Sequence, residues 1–160
     1  MYHNGYSLLE LLIVIAISSI MVMMTITNWR DMRLQNELAN GTLELVAFFN
    51  QVKSDANIFN RNNAIYIAYK NHQEWQLIVV DNEQADYTHP YFKFIGKTQQ
   101  VDIVEVNVEP ILIFHGRRSM AQPATIKLKN ALGESRIIVS TRGRIRFCSA
   151  NVYLAGFPKC

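Results

Sequence analysis

Residues Leu11–Ile26, LLIVIAISSIMVMMTI, make sixteen consecutive positions without a charge. A run of that kind cannot serve as the surface helix of a small soluble domain, because it has no polar face to offer water. With Tyr6–Leu9 ahead of it, the apolar stretch approaches the ~20 residues that a helix needs to cross a bilayer. One carboxylate, Glu10, interrupts it near its start. No A-x-A-like small-residue site follows, which argues against an ordinary cleaved signal peptide. The helical pattern instead continues. Leu34, Leu38, Leu45, Phe48, Phe49 and Val52 recur at spacings of three and four with polar residues between them, as one amphipathic face. The pattern predicts a single helix over residues 6–59, with about 6–28 in the membrane. At ~1.5 Å per residue it is on the order of 80 Å long, too long to pack within so small a domain. Asn40-Gly41 is its weak point, since glycine in a helix interior costs ~1 kcal/mol relative to alanine. Asn60-Arg61-Asn62-Asn63 ends it with residues that tolerate turn conformations.

After Asn63 the period changes from 3.6 to two. Residues 64–69, 75–80, 101–108, 111–114, 125–129, 136–140 and 144–147 read as short strands. Asp81–Pro90 reads as a polar loop, Gly116–Pro123 as a basic one, and Asn130–Gly133 as a hairpin turn. The expected fold class is therefore α+β: a long N-terminal helix packed against a small antiparallel β-sheet domain over 60–160.

Charge is divided unevenly along this layout. Residues 1–110 carry seven Lys/Arg against twelve Asp/Glu. Residues 111–160 carry nine, Arg117, Arg118, Lys127, Lys129, Arg136, Arg142, Arg144, Arg146 and Lys159, against Glu134 alone. A basic last third on an acidic body suits a polyanion-binding surface, or a solvated β-surface whose charge aids solubility. Catalytic signals are lacking. His3, His72, His89 and His115 have no metal-ligand spacing, no Gly-rich phosphate loop or serine nucleophile motif occurs, and Asp102 and Glu105 fall on opposite faces of a strand. No enzyme activity, cofactor or metal is expected. Tyr66, Tyr69 and Trp75 have the chemistry to stack on bases, but aromatics in strands more often pack in a core.

Gly5-Tyr6-Ser7-Leu8-Leu9-Glu10-Leu11-Leu12 resembles the processing signal of type IV prepilins. The resemblance implies a leader over 1–5, cleavage by a prepilin peptidase between Gly5 and Tyr6, N-methylation of Tyr6, and an assembly role for Glu10 opposite the terminal amine of a neighbouring subunit. A carboxylate in lipid is costly and usually has a partner. The leader itself carries no Lys or Arg, and Arg30 and Arg33 lie just past the span, so charge bias alone does not give the implied orientation. The later blocks AFFNQVKSDA (47–56), EWQLIVVD (74–81), IFHGR (113–117), IKLKN (126–130) and IVSTRGRIRFC (138–148) resemble the GspH/FimT-type minor pilins and pseudopilins. That likeness implies the pilin fold, major and minor pilins as partners through the helix, and a single pass through the inner membrane. The C-terminal domain then lies in the periplasm, and later in a pilus or pseudopilus.

Export gives the two cysteines a meaning. Cys148 and Cys160 lack zinc-finger partners, and an even count near the end of an exported chain suggests one disulfide, worth on the order of 3 kcal/mol for a loop of this size. Gly143-Arg144-Ile145-Arg146 matches as written the Gly-Arg-x-Arg motif associated with DNA binding in FimT-type proteins. On a strand, Arg142, Arg144 and Arg146 share one face at ~6.5 Å intervals, suited to successive backbone phosphates. Lys127 and Lys129 repeat the device on an expected neighbouring strand, with Arg117, Arg118 and Lys159 adding charge. The implied function is a minor pilin that binds DNA without sequence preference during uptake. The alternative is a type II secretion pseudopilin with a structural role and no DNA.

Overall fold

The computed structural model describes residues 7–71, 74–81, 90–96, 101–104 and 112–160, with the side chains of 24–28, 68–71, 74, 104 and 118 left aside. The leader 1–5, the cleavage pair Gly5/Tyr6, and residues 105–108 and 111 of the expected strands lie outside them. A helix, α1, runs Leu8–Phe59. Ser7 starts it: its carbonyl accepts the Leu11 amide at 3.2 Å as the first bond of the helix, and its hydroxyl accepts the Glu10 amide at 3.2 Å, which satisfies one of the free N-terminal donors. The chain forms two compact units, Met1–Arg33 and Leu34–Cys160.

In the first unit, among the described residues, Leu8, Leu12, Val14, Ile17 and Ile20 are all more than half exposed. The expected span over 6–28 includes Tyr6 and the side chains of 24–28, which lie outside the described residues. Among the described residues no helix is long and apolar enough to cross a membrane.

The second unit contains the core. Leu38, Leu45, Phe49, Val52 and Ala56 are fully buried along one side of the helix, the face that the three- and four-residue spacing predicts. Thr42 lies on the same face, and its hydroxyl donates to the Leu38 carbonyl at 2.7 Å and meets the Ser135 hydroxyl at 2.7 Å. The backbone stays helical through Asn40-Gly41, where an added Cβ would meet only Val101 Cγ1 at 4.0 Å. Asn60, at φ 50°, terminates α1, and the Arg61 amide reaches back to the Ala56 carbonyl at 3.1 Å, which recaptures a free C-terminal acceptor.

Among the described residues eight strands follow: β1 Asn63–Asn71, β2 Glu74–Asp81, β3 Phe92–Ile95, β4 Asp102–Val104, β5 Leu112–Phe114, β6 Ala124–Lys129, β7 Glu134–Val139 and β8 Ile145–Ser149. A 3-10 turn, Arg117–Ser119, stands between β5 and β6. The expected antiparallel β-domain is present, divided into two four-stranded sheets with orders β3-β2-β1-β5 and β4-β6-β7-β8. Inward residues of both, among them Ile65, Leu77 and Phe114 from the first and Ile126, Leu128 and Ile137 from the second, close on the buried helix face. β3 is an addition to the strands read from sequence. It is an edge strand of four residues whose Phe94 stacks on Trp75 at 5.7 Å and meets Phe48 at 5.1 Å. Trp75 is core: it is buried and donates Nε1–H to the Val101 carbonyl at 2.9 Å, so it is not available to stack on bases. Tyr66 is half-buried, and the Tyr69 side chain lies outside the described residues. Cys148 and Cys160 form the expected disulfide, with Cα atoms 5.0 Å apart.

Candidate nucleic-acid interface

The β6–β7 hairpin sets the outer face of the second sheet. Asn130 makes its turn: Oδ1 accepts the Leu132 and Gly133 amides at 3.0 and 3.1 Å, while Nδ2 donates to the Leu34 carbonyl at 2.8 Å. This register places Lys129 opposite Glu134 and Lys127 opposite Arg136, and Lys129 also pairs with Asp102 of β4. One end of the face is therefore charge-balanced, with Asp102, Lys129 and Glu134 alternating across three strands. Lys127 and Arg136 are like charges directly opposite, an arrangement that destabilises a sheet. The Arg136–Glu134 ion pair at 2.7 Å offsets it.

β7 lies between β6 and β8, so Lys127 and Lys129 are not on the strand beside the arginines, as expected, but two strands away, ~10 Å across the sheet. The intervening strand contributes Arg136 and the half-exposed Ile138, which pairs with Arg146. Arg136 belongs to this face and was not among the expected site residues. Counting back from the hairpin turn would have found it, since Lys129↔Glu134 fixes Lys127↔Arg136.

The arginine motif straddles a turn. β8 begins only at Ile145, so of the three arginines only Arg146 lies in the strand, and Arg142 and Arg144 precede it. Arg142 sits in the β7–β8 turn, where the Gly143 amide donates to the Ser140 carbonyl at 2.8 Å and the Ser140 amide to the Arg144 carbonyl at 3.0 Å. Gly143 takes φ +67°, the left-handed residue that tightens this kind of hairpin. The glycine is buried, and an added Cβ would lie 2.5 Å from the Ser119 carbonyl oxygen. The turn is also tied down from outside. Lys53 Nζ donates to the Gly143 carbonyl at 2.9 Å, and the Ala121 amide to the Thr141 carbonyl at 3.0 Å. Gly143 thus has a conformational part to play and presents no side chain to a ligand.

Arg142, Arg144 and Arg146 are all exposed, while Ile145 and Phe147 between and after them are half-buried on the inner side. Among the described residues, none of the three arginines makes a side-chain hydrogen bond or ion pair. The remaining expected cations are elsewhere. Arg117 lines a cleft of about 670 Å³ with Asn60, Arg61, Asn62, Asp81 and His115. In it the Arg61 guanidinium is already engaged, 2.6 Å from Asp55 and stacked 3.8 Å over the Tyr91 ring. Arg118 belongs to the 3-10 turn, and its side chain lies outside the described residues. Lys159 pairs with Ser149 rather than lying beside Arg144 and Arg146, three residues or ~10 Å along β8 from Arg146. No group of His, Cys, Asp or Glu that could hold a metal ion occurs among the described residues.

No curated protein and no solved structure matches the chain. The prokaryotic N-terminal methylation motif matches residues 1–26. Such a motif implies a membrane-anchored chain, processing by prepilin peptidase and assembly with other pilins, and points to a structural protein rather than an enzyme. Together with a long helix packed on an antiparallel β-domain, it supports a type IV pilin-like prepilin.

Proposed function

We propose that this chain is a minor pilin of the GspH/FimT type whose outer β8 face binds DNA through its phosphates. In this reading the chain is cut between Gly5 and Tyr6, Glu10 pairs with a neighbouring amine, and the β-domain is held on the periplasmic side before assembly. The observation that carries the DNA reading is the set of three exposed arginines, Arg142, Arg144 and Arg146, without partners of their own among the described residues. Arginine suits the task because its planar fork donates paired hydrogen bonds to phosphate oxygens. No helix after α1 offers a groove-reading element among the described residues, so base-specific readout is not expected.

A second reading, a secretion pseudopilin without DNA, draws on the other end of the same face. There Lys129 stands opposite both Asp102 and Glu134, and the motif glycine serves the turn. Binding of labelled duplex DNA by the full chain in neutral detergent, measured across a salt series, separates the two. Wild-type affinity should lie around 10⁻⁴–10⁻⁶ M at physiological salt and fall steeply as salt rises. Arg144→Gln with Arg146→Gln should lower the log–log salt slope by roughly 1–2 and weaken binding at every salt concentration. Unchanged binding by the double variant removes the DNA role from this face. The absence of salt-sensitive binding by wild type favours the pseudopilin.

A further inference from the structure

The two tryptophans of the chain are placed in opposite ways. Trp75 is buried in the β-domain, whereas Trp29 is 70% exposed on α1. Met32 follows one turn later on the same side of the helix and is exposed as well, as are Arg30 and Arg33. All four belong to the first unit, Met1–Arg33, and precede the buried helix face that opens at Leu34. Trp29 and Met32 are thus large apolar side chains left outside the core.

Their position along the helix says what meets them. The charge-free run ends at Ile26, just ahead of Trp29. From Leu8, where α1 begins, to Trp29 a helix rises ~32 Å, close to the ~30 Å of a bilayer's hydrocarbon core. With the start of α1 at one boundary of the hydrocarbon, Trp29 falls at the other. A tryptophan favours that depth, because its ring is apolar while its indole N–H donates to lipid carbonyl and phosphate oxygens. Arg30 and Arg33 suit the same layer: their aliphatic stems lie along apolar surface and their guanidinium heads reach phosphate oxygens. Two arginines against Asp31 leave this short segment one net positive charge, the sign that phosphates attract. We propose that Trp29, Met32, Arg30 and Arg33 form a docking surface for phospholipid headgroups, which fixes how deep α1 sits in the bilayer. The inference rests on the membrane anchoring of the N-terminal helix and is independent of the DNA reading.

The test reads the depth of Trp29. The full chain is reconstituted in phosphatidylcholine–phosphatidylglycerol vesicles whose lipids carry bromine either just below the headgroup or near the bilayer centre, and tryptophan emission is recorded. Trp75, buried in the β-domain, supplies a constant background. Wild type should lose far more emission to the shallow bromine than to the deep one, and Trp29→Phe should abolish the loss to both. Arg30→Gln with Arg33→Gln removes charges that resist entry into hydrocarbon, so the loss should shift toward the deep bromine. A wild-type chain that co-floats with the vesicles but loses no emission to either bromine, or more to the deep one, overturns the surface. Trp29 then lies in water, against protein or within the hydrocarbon. An unshifted pattern in the double glutamine variant removes the arginines from the surface. Failure of the chain to co-float with vesicles defeats the anchoring itself, and the surface with it.

Discussion

Replacing Gly5 by leucine is expected to leave residues 1–5 attached to the whole population of chains, read as an unshifted N-terminal peptide by mass spectrometry. The motif matched over residues 1–26 implies a dedicated peptidase, and leucine puts a bulky side chain where the expected cut has none. Wild-type chains should instead begin at Tyr6 and carry one added methyl group. The helix begins only two residues later, at Leu8, with Ser7 as its cap. Cleavage therefore sets a new amine immediately ahead of the helix N-terminus, where its charge is unfavourable to the helix dipole and gains from a nearby carboxylate. Glu10→Ala should accordingly permit cleavage but reduce incorporation into fibres, because an amine left unpaired in an apolar environment is costly. Mature chains starting at a distant residue would remove the prepilin assignment.

The second large effect belongs to Gly143→Val. Valine at φ +67° carries the left-handed penalty of ~1–2 kcal/mol, greatest for β-branched residues. Its Cβ would also stand 2.5 Å from a backbone oxygen, that of Ser119. Relieving such an overlap typically costs ~1–3 kcal/mol. The denaturant midpoint of the domain Leu34–Cys160, which holds every buried core residue among those described, should therefore fall by an amount equivalent to about 2–5 kcal/mol at an unchanged slope. Arg142→Gln, Arg144→Gln and Arg146→Gln should each stay within ~0.5 kcal/mol of wild type, as surface substitutions do. The contrast divides one short motif into a glycine that shapes the turn and arginines that the fold does not need. A Gly143→Val domain as stable as wild type would show that the turn can move off Ser119 at no cost.

Long-range periodicity made most of this architecture legible. Leu38, Leu45, Phe49 and Val52 mark the buried helix face, and alternation marks β1, β2 and β5 to β8 to within a residue or two. What escaped depends on which strands meet. β3 holds only four residues beside a polar stretch, too short for alternation to register, and it is fixed by Phe94 packing on Trp75 and Phe48. The division into two sheets depends on β5 pairing with β1 and β4 with β6, contacts distant in sequence that no local pattern encodes. Arg142, Arg144 and Arg146 are exposed, but alternation gives the side of a strand that each residue takes and not strand order, so it sets Lys127 beside β8 and passes over Arg136. Alternation from Arg146 also extends back through Arg144 to Arg142, whereas the strand begins only at Ile145, after the turn that Gly143 shapes.

The bare apolar surface of Leu8–Met23 and the buried core that begins at Leu34 are separate bodies of hydrophobic material. In water the first would be prohibitive, since each exposed leucine or isoleucine forgoes ~1.5–3 kcal/mol of transfer free energy. On the proposed assembly the segment therefore passes from one apolar solvent to another, from lipid to the flanks of neighbouring helices, without an aqueous interval. Because lipid tails are about as apolar as leucine, that exchange is close to neutral in its hydrophobic part. On the proposed assembly its direction comes from tighter packing and from the pairing proposed for the Glu10 carboxylate. The described core residues take no part, so on that reading a subunit leaves the bilayer with its β-domain folded.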